Sequence, residues 1–261
     1  MDISTVAGLV LALGALAVSL LLEGSSFAQL INISAFVLIV GGTFGAVLVS
    51  FPLDEVMALP KLLGKAFGGK EDDPTRVIDQ IVSLVEKARR EGLLTLQNEV
   101  KNLDDEFLIR GIELVVDGTD PQAVRSILET DIAFMEKRHK AGAGVLEAAG
   151  GYSPTMGIIG TVMGLVNVLS HLNEGTERLA EGIANAFMAT FYGIFFANIF
   201  FLPLGGKLKA KSASELLRRE LILEGVLSLQ AGESPRIVRE KLEVFLPPKY
   251  KTKAAKEGGG E

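Results

Sequence analysis

Residues 3–22 read ISTVAGLVLALGALAVSLLL, twenty positions without a charged side chain. At about 1.5 Å of rise per residue, a helix of this length crosses the ~30 Å hydrocarbon core of a bilayer. The first eight residues, MDISTVAG, contain no basic residue, and no small-residue cleavage site follows the apolar run. The stretch therefore predicts a retained transmembrane helix and not a cleaved signal peptide.

Three further uncharged runs follow, and short polar segments join the four runs in pairs. The runs are Leu30–Phe51, Tyr152–Leu172 and Ile183–Gly206, and the polar segments are Glu23–Gln29 and Asn173–Gly182. Apolar residues make up 48% of the chain and charged residues 22%, a combination that indicates segregated blocks. We predict an all-α integral membrane protein with four transmembrane helices, in which both polar segments are short loops.

The distribution of basic residues indicates the orientation. Residues 53–151 contain 13 Lys and Arg and residues 207–261 contain 12, whereas the two short loops contain only Arg178. Because Lys and Arg concentrate on the cytoplasmic side of short membrane loops, we expect both termini and the long middle segment in the cytoplasm. Both short loops then face outward.

Composition excludes several classes of function. The net charge of −6 argues against nucleic-acid binding. The absence of cysteine excludes disulfides and thiolate chemistry, and His139 and His171 are too far apart in sequence to indicate a metal cluster. The chain contains no Walker A loop, nucleophile elbow or His-Glu metal motif. The sequence therefore predicts neither an enzyme nor a bound cofactor.

The charged segments predict helices, and strand signals are weak throughout. We expect a helical cytoplasmic domain between spans two and three, whose last helix runs towards span three, and a helical C-terminal region. The start signals are Asp73-Pro74, Asp120-Pro121 and Ser234-Pro235, and the stop signals are Gly92 and Gly118.

This pattern divides the chain into four regions. Residues 1–52 form spans one and two, 53–150 the cytoplasmic domain, 151–206 spans three and four, and 207–261 the C-terminal region. The first pair of spans is apolar and is expected to face lipid, whereas the second pair is expected to line a path. The end of the chain, from Lys249 onward, is expected to be disordered.

Spans three and four contain the polar groups. Pro154 and Pro203 each free a backbone carbonyl one turn earlier, because proline has no N–H to donate. Thr161 and Thr190 lie deeper in the same spans. A polar group buried in a bilayer needs a partner or a water-lined cavity. Hydroxyls and freed carbonyls are suitable ligands for a small hard cation, which could be that partner. Simple helix kinks are the alternative, which the residues alone favour.

Glycines in the third run resemble a nucleotide-binding fingerprint. Gly157, Gly160 and Gly164 lie within a membrane span with no strand before them, so close helix packing is the favoured interpretation. The same close packing is expected in the second run at Gly41, Gly42 and Gly45.

The four runs contain no carboxylate. Ion relays across membranes generally need an anionic or titratable group in the pathway. If the chain conducts ions, a partner chain must supply that group.

Four stretches of the sequence resemble the flagellar stator subunits of the MotA/PomA family, in family order and to about Leu246. They are GYSPTMGIIGTVMGL at 151–165, AFMATFYG at 186–193 with Pro203-Leu204 and KLKAKS at 207–212, ARREGLLTL at 88–96, and VDG at 116–118. The wider superfamily includes the ExbB and TolQ energisers, which have three spans. The additional N-terminal pair here favours the stator branch.

The resemblance implies a homopentamer around a dimer of a one-span partner, MotB or PomB, in the bacterial inner membrane. The partner would supply the missing aspartate and anchor the unit to peptidoglycan. Inward ion flow would rotate the pentamer, and its cytoplasmic domain would push the rotor protein FliG. An ExbB/TolQ-like energiser of outer-membrane processes and a passive scaffold are the alternatives.

The resemblance also assigns roles in the ion path. Pro154 and Pro203 match the prolines linked to ion flow and conformational coupling. Thr161 and Thr190 match hydroxyls of sodium-type relatives, and a transient Na⁺ is therefore expected near them. Because Na⁺ needs several oxygen ligands and a proton needs only a relay, the hydroxyls favour Na⁺ over H⁺.

On the cytoplasmic side, the resemblance assigns a rotor contact. Arg89 matches a basic residue that meets the rotor, and Arg90 lies next to it. The family usually has Glu at the position of Gln97, so Glu91 or Glu99 is expected to replace that acidic group. The alternative is that these charges are only a solvated helix face.

Overall fold

The computed structural model describes residues 3–24, 26–68, 73–171, 175–246 and Tyr250, and every element in this part of the chain is helical. The α-helices are α1 (Ile3–Leu22), α2 (Ile33–Ser50), α3 (Leu53–Met57), α4 (Leu59–Phe67), α5 (Pro74–Glu91), α6 (Leu96–Glu99), α7 (Glu106–Val116), α8 (Pro121–Ser170), α9 (Thr176–Phe195), α10 (Leu202–Gln230) and α11 (Pro235–Glu243). Short 3₁₀ turns cover Phe27–Leu30, Leu93–Thr95 and Val100–Asn102, and a π-helical segment covers Phe196–Phe201.

Four helical segments in the described residues are long and apolar enough to cross a membrane. They are α1, α2, the later part of α8, and α9 with its continuation into α10, which confirms the predicted number of spans. The third span is the C-terminal part of α8, a single helix of 50 residues. This agrees with the expectation that the helix beginning at Asp120-Pro121 runs towards span three.

The chain forms two compact units. Unit one contains residues 1–70 and 138–211, and therefore all four candidate spans. Unit two contains residues 71–137 and 212–261. The predicted division placed these last two segments in separate regions, but their side chains share one hydrophobic core.

Within unit one, the first two spans differ from each other. No residue of α1 is buried, as expected for a helix that faces lipid. Helix α2, in contrast, buries Ala35, Ile39, Thr43 and Val47, a stripe with a spacing of four residues, and it packs on α9. The first pair of spans therefore does not face lipid throughout, because one face of α2 belongs to the core of the unit.

The glycines of α2 also differ from the expectation of close packing. A methyl group on Gly42 would lie 2.8 Å from the Met156 sulfur, so alanine there would require the flexible Met156 side chain to move. Gly41 and Gly45 have open space around them within this chain. Only one of the three predicted contacts is present, because a single face of α2 meets the neighbouring helix.

The predicted outer loops are shorter than expected. Helix α9 begins at Thr176, with Glu177 in its first turn, so most of Asn173–Gly182 is helical and not loop. A carboxylate near a helix N-terminus is favourable there, which allows polar residues to extend the span. In the first loop, Ser26 caps the 3₁₀ turn at Phe27–Leu30. The region expected to be disordered lies, apart from Tyr250, outside the described residues.

Unit two is a helical domain built on amphipathic helices. Asp73 caps α5 and Asp105 caps α7 by accepting hydrogen bonds from the first turns. The apolar face of α5, including Ile78 and Ile81, is buried against α11. The shared core is formed by α5, α6, α7, α11 and the unit-two parts of α8 and α10.

Candidate functional site

Helices α8 and α9 cross at very short range in unit one. A methyl group on Gly160 would lie 2.5 Å from the Ala189 methyl, and one on Gly164 would lie 2.7 Å from that of Ala186. A methyl group on Gly157 would lie 3.0 Å from the Ala189 carbonyl oxygen. The predicted role of these glycines in close packing is confirmed, because any side chain there would push the two backbones apart.

This crossing brings Thr161 and Thr190 together. The Thr161 hydroxyl lies 3.0 Å from the Gly157 carbonyl oxygen and 3.1 Å from the Ala186 carbonyl oxygen, and it contacts the Thr190 hydroxyl directly. Each carbonyl belongs to the residue one turn before a threonine. Two hydroxyls and two carbonyls therefore converge between two membrane-spanning helices, and both threonines are only half-buried. We call these four oxygens the threonine cluster.

Pro154 lies at the same crossing, two turns along α8 from Thr161. A methyl group on Gly193 would lie 3.2 Å from the Pro154 Cα and 2.7 Å from the Ser153 carbonyl oxygen. The buried Ser153 hydroxyl donates to the Gly193 carbonyl oxygen at 2.9 Å. The break in hydrogen bonding caused by Pro154 thus occurs where α8 is held tightly against α9.

Pro203 is not part of the threonine cluster. It is exposed and lies 13 residues after Thr190, separated by Leu202 from the end of the π-helical segment Phe196–Phe201. There the Leu202 N–H donates to the Ala197 carbonyl, five residues earlier, and the Asn198 side chain donates to the Ile194 carbonyl. Pro203 cannot donate at all, so regular α-helical bonding is interrupted on both sides of Leu202.

A second polar contact between spans was not predicted as a site. The Asn32 side-chain amide donates to the side-chain oxygen (Oδ1) of Asn185 at 2.6 Å, and the Asn32 backbone N–H donates to the Tyr192 hydroxyl at 3.1 Å. The Tyr192 hydroxyl in turn donates to the Leu30 carbonyl. This network joins the start of α2 to α9. In the sequence, this network was indicated by Asn185, an asparagine inside the apolar run Ile183–Gly206.

Charge is absent from the apolar runs that contain the cluster. Neither 152–170 nor 183–206 contains Asp, Glu, Lys or Arg. Around the cluster, Thr190 opens to a groove lined by apolar side chains, among them Leu16 and Phe187. Four neutral oxygens provide partial negative charge but no full anion.

In unit two, the predicted basic residues lie at the end of α5. Arg89 and Arg90 are exposed in its last turn, and Gly92 ends the helix with a φ of 91°. This left-handed backbone is readily adopted by glycine and rarely by other residues. Gln97 is exposed on α6, so the polar side chains at 89, 90 and 97 are all accessible to a partner.

Glu99 is different, because it is already paired within the chain. Its carboxylate accepts a hydrogen bond from the Lys87 ammonium at 2.5 Å, and each side chain is about 30% exposed. This hydrogen bond raises the pKa of Lys87 above its ordinary value. Glu91 has only a 4.0 Å contact with Arg90 and remains exposed. Of the two acidic candidates, Glu91 is therefore the more available.

Two family descriptions match adjoining parts of the chain. The motility protein A N-terminal family matches residues 6–92, which contain most of α1 and all of α2 and α5. The MotA/TolQ/ExbB proton channel family matches residues 99–221, which contain the α8–α9 crossing and the threonine cluster.

Individual proteins match almost end to end. Motility protein A of Bacillus subtilis is 38% identical, over 99% of this chain and 96% of that protein. Chemotaxis protein PomA of Vibrio alginolyticus is 35% identical, over 94% of this chain and 96% of that protein. A chain of the solved flagellar MotAB stator complex from Bacillus subtilis superposes with a TM-score of 0.89 and 38% identity, covering 96% of this chain and 98% of that one. The chain belongs to the MotA/TolQ/ExbB proton channel family, together with the motility protein A subunits of flagellar stators.

Proposed function

We propose that this chain is the ion-driven stator subunit of a flagellar motor, a multi-pass protein of the inner membrane with both termini in the cytoplasm. With a MotB/PomB-type one-span partner, it couples inward cation flow to torque on the rotor protein FliG. The similarity to MotAB stator chains over the whole length supports the stator role. The family resemblance supports a pentamer around two partner chains.

The threonine cluster is the observation on which the proposed ion path rests. It gathers four oxygens between α8 and α9, and the apolar runs of both helices contain no carboxylate. A cation that leaves water needs compensation by polar ligands, and neutral oxygens alone leave its charge unpaired. We infer that a partner carboxylate approaches the cluster and that the two sets of oxygens together bind the ion in transit.

The same geometry favours Na⁺ over H⁺ as the coupling ion. A hard cation is bound by several oxygens at once, whereas a proton moves between single donors and acceptors. The threonine cluster supplies hydroxyl and carbonyl oxygens from two helices at one depth. Thr161 and Thr190 thus act as transient Na⁺ ligands, and Pro154 and Pro203 let the helices adjust as the ion passes.

The test uses the chain co-purified with a MotB/PomB-type one-span protein from the same genome and reconstituted into lipid vesicles. We expect cation uptake to depend on external Na⁺ and to fall to background when K⁺ or choline replaces it. A complex in which the partner's membrane aspartate is changed to asparagine serves as the inactive control. Uptake of protons that continues at full rate without Na⁺ would contradict the choice of ion but not the stator role.

Deletion of the gene distinguishes the stator from the energiser. A stator deletion abolishes swimming but leaves assembled filaments in place. If instead swimming persists and receptor-mediated uptake across the outer membrane is lost, the ExbB/TolQ-like function is correct. Counting subunits of the extracted complex tests the proposed ratio of five to two.

At the cytoplasmic surface, we propose that Glu91 provides the acidic half of the rotor contact in place of Gln97. The charge of Glu99 is neutralised by Lys87, whereas that of Glu91 is accessible beside Arg90. We expect Glu91→Gln to lower stall torque per stator, and Glu99→Gln to change it much less. The Lys87–Glu99 pair is accessible to solvent and therefore contributes little to stability.

Stall torque measured on tethered cells checks this expectation, with Glu113→Gln on the exposed face of α7 as the control. Equal losses in the Glu91 and Glu99 variants would contradict the assignment to Glu91.

A further inference from the structure

The turn that follows α5 holds its side chains in a defined arrangement. Residues Leu93–Thr95 form a 3₁₀ turn, in which the Thr95 N–H and hydroxyl both bond to the Gly92 carbonyl, at 3.3 and 2.7 Å. Directly after it, Leu96 is completely buried in the core of unit two. The turn is therefore closed by its own hydrogen bonds on one side and anchored by packing on the other.

Leu94 projects from this turn into solvent. It is 74% exposed, although leucine is among the residues most often buried. The hydrogen bonds of the turn and the burial of Leu96 hold the backbone on either side of Leu94 in place. An apolar side chain held outward on a fixed turn loses little conformational freedom when a partner covers it.

The surroundings of Leu94 are basic. Arg89 and Arg90 occupy the last turn of α5, only four and five residues earlier, and both are exposed. Lys87 on the same helix is paired with Glu99 and adds no free charge. With Gln97 in place of an acid, Glu91 is the one accessible carboxylate among residues 87–97. Arginine is enriched at protein–protein interfaces, and the apolar side chain of Leu94 beside Arg89 and Arg90 adds area that a partner can bury.

We propose that Leu94 is the apolar anchor of the rotor contact. It inserts into an apolar recess on the rotor partner, and carboxylates around that recess meet Arg89 and Arg90. This inference rests on the proposed function, since it names the chemistry of the partner surface at the same site. Burial of Leu94 supplies most of the affinity, and the arginine–carboxylate pairs mainly determine orientation and association rate.

The test is binding of purified FliG from the same genome to the full complex, chain and one-span partner together, in lipid nanodiscs. We expect Leu94→Ser to weaken binding by about tenfold or more, as expected for losing most of a buried leucine. Leu94→Met is expected to stay within about twofold, because methionine keeps the apolar volume. Cation uptake in vesicles should be unchanged in both variants.

Ile237 offers a matched control. It is also an exposed apolar residue of unit two, and it lies near the other end of α5, where its neighbour Arg239 pairs with Asp79. We expect Ile237→Ser to bind FliG like the unmodified chain.

The outcomes separate the inference from the proposed function. If Arg89→Glu abolishes binding but Leu94→Ser does not change it, Leu94 is no anchor and the rotor contact stands. If the unmodified complex does not bind FliG at all, the rotor role fails and the inference fails with it. If Leu94→Ser alters the number of subunits in the complex instead, a second copy of this chain covers Leu94, and the proposal is wrong.

Discussion

Replacement of Thr161 by valine is expected to lower Na⁺-driven uptake by at least about tenfold, a loss equivalent to ~1.4 kcal/mol of transition-state stabilisation. Valine preserves the shape of threonine but removes the hydroxyl that lies near the carbonyls of Gly157 and Ala186 and contacts Thr190. One of the four oxygens is lost, and the remaining ones lose their common hydrogen-bond partner. Thr161→Ser keeps the hydroxyl and should retain most of the activity.

The same chain contains a matched control for this experiment. The Thr43 hydroxyl on α2 is fully buried and has no hydrogen-bond partner among the described residues. Thr43→Val therefore removes a buried hydroxyl that makes no bond, and it should leave uptake unchanged and stability equal or higher. Equal losses in the Thr43 and Thr161 variants would show that the effect is general to the membrane core and not specific to the threonine cluster.

Replacement of Gly193 by alanine is expected to abolish torque and to lower the melting temperature of the complex. The added methyl would lie 2.7 Å from the Ser153 carbonyl oxygen and 3.1 Å from the Gly157 Cα. Both are backbone atoms that no rotamer change can move, so α8 and α9 must separate by several tenths of an ångström. Such overpacking typically costs about 1–3 kcal/mol. The separation also pulls Thr190 away from Thr161.

Alanine is otherwise the better helix former by about 1 kcal/mol, so a glycine in open space should gain from the same change. At Gly45 on α2, the added methyl would have no atom within 4 Å apart from the adjacent residues and the backbone of its own helix, so Gly45 serves as that control. Thermal unfolding of the purified complexes and tethered-cell torque measure both variants. If Gly193→Ala supports full torque, the close crossing of α8 and α9 is not required for function.

Much of the architecture followed from local features of the sequence. An uncharged run of about 20 residues has one stable arrangement in a bilayer, because every backbone group must be bonded internally. The four spans were therefore predictable from length and hydropathy. The starts at Asp73, Asp120 and Ser234 were predictable as well, because a side chain that caps a helix acts on the residues directly after it.

Other features were not indicated by the patterns in the sequence. Residues Thr176–Gly182 form the first turns of α9, although their polar composition had indicated a loop. The π-helical segment Phe196–Phe201 lies shortly before Pro203, but no motif in the sequence specified its hydrogen-bonding pattern. The pairing of Lys87 with Glu99, twelve residues apart, changed which acid is available beside Arg89.

By itself, the sequence determined the membrane spans, the absence of a carboxylate from them and, through its motifs, the family. Composition and short-range patterns are sufficient for these properties, because each is decided within a few turns of one helix. Only the tertiary structure decided that Thr161 and Thr190 share one site, that Pro203 lies apart from it, and that Leu94 is held outward. These depend on how closely two helices approach and how a turn is anchored, which is set by packing between residues far apart in the chain.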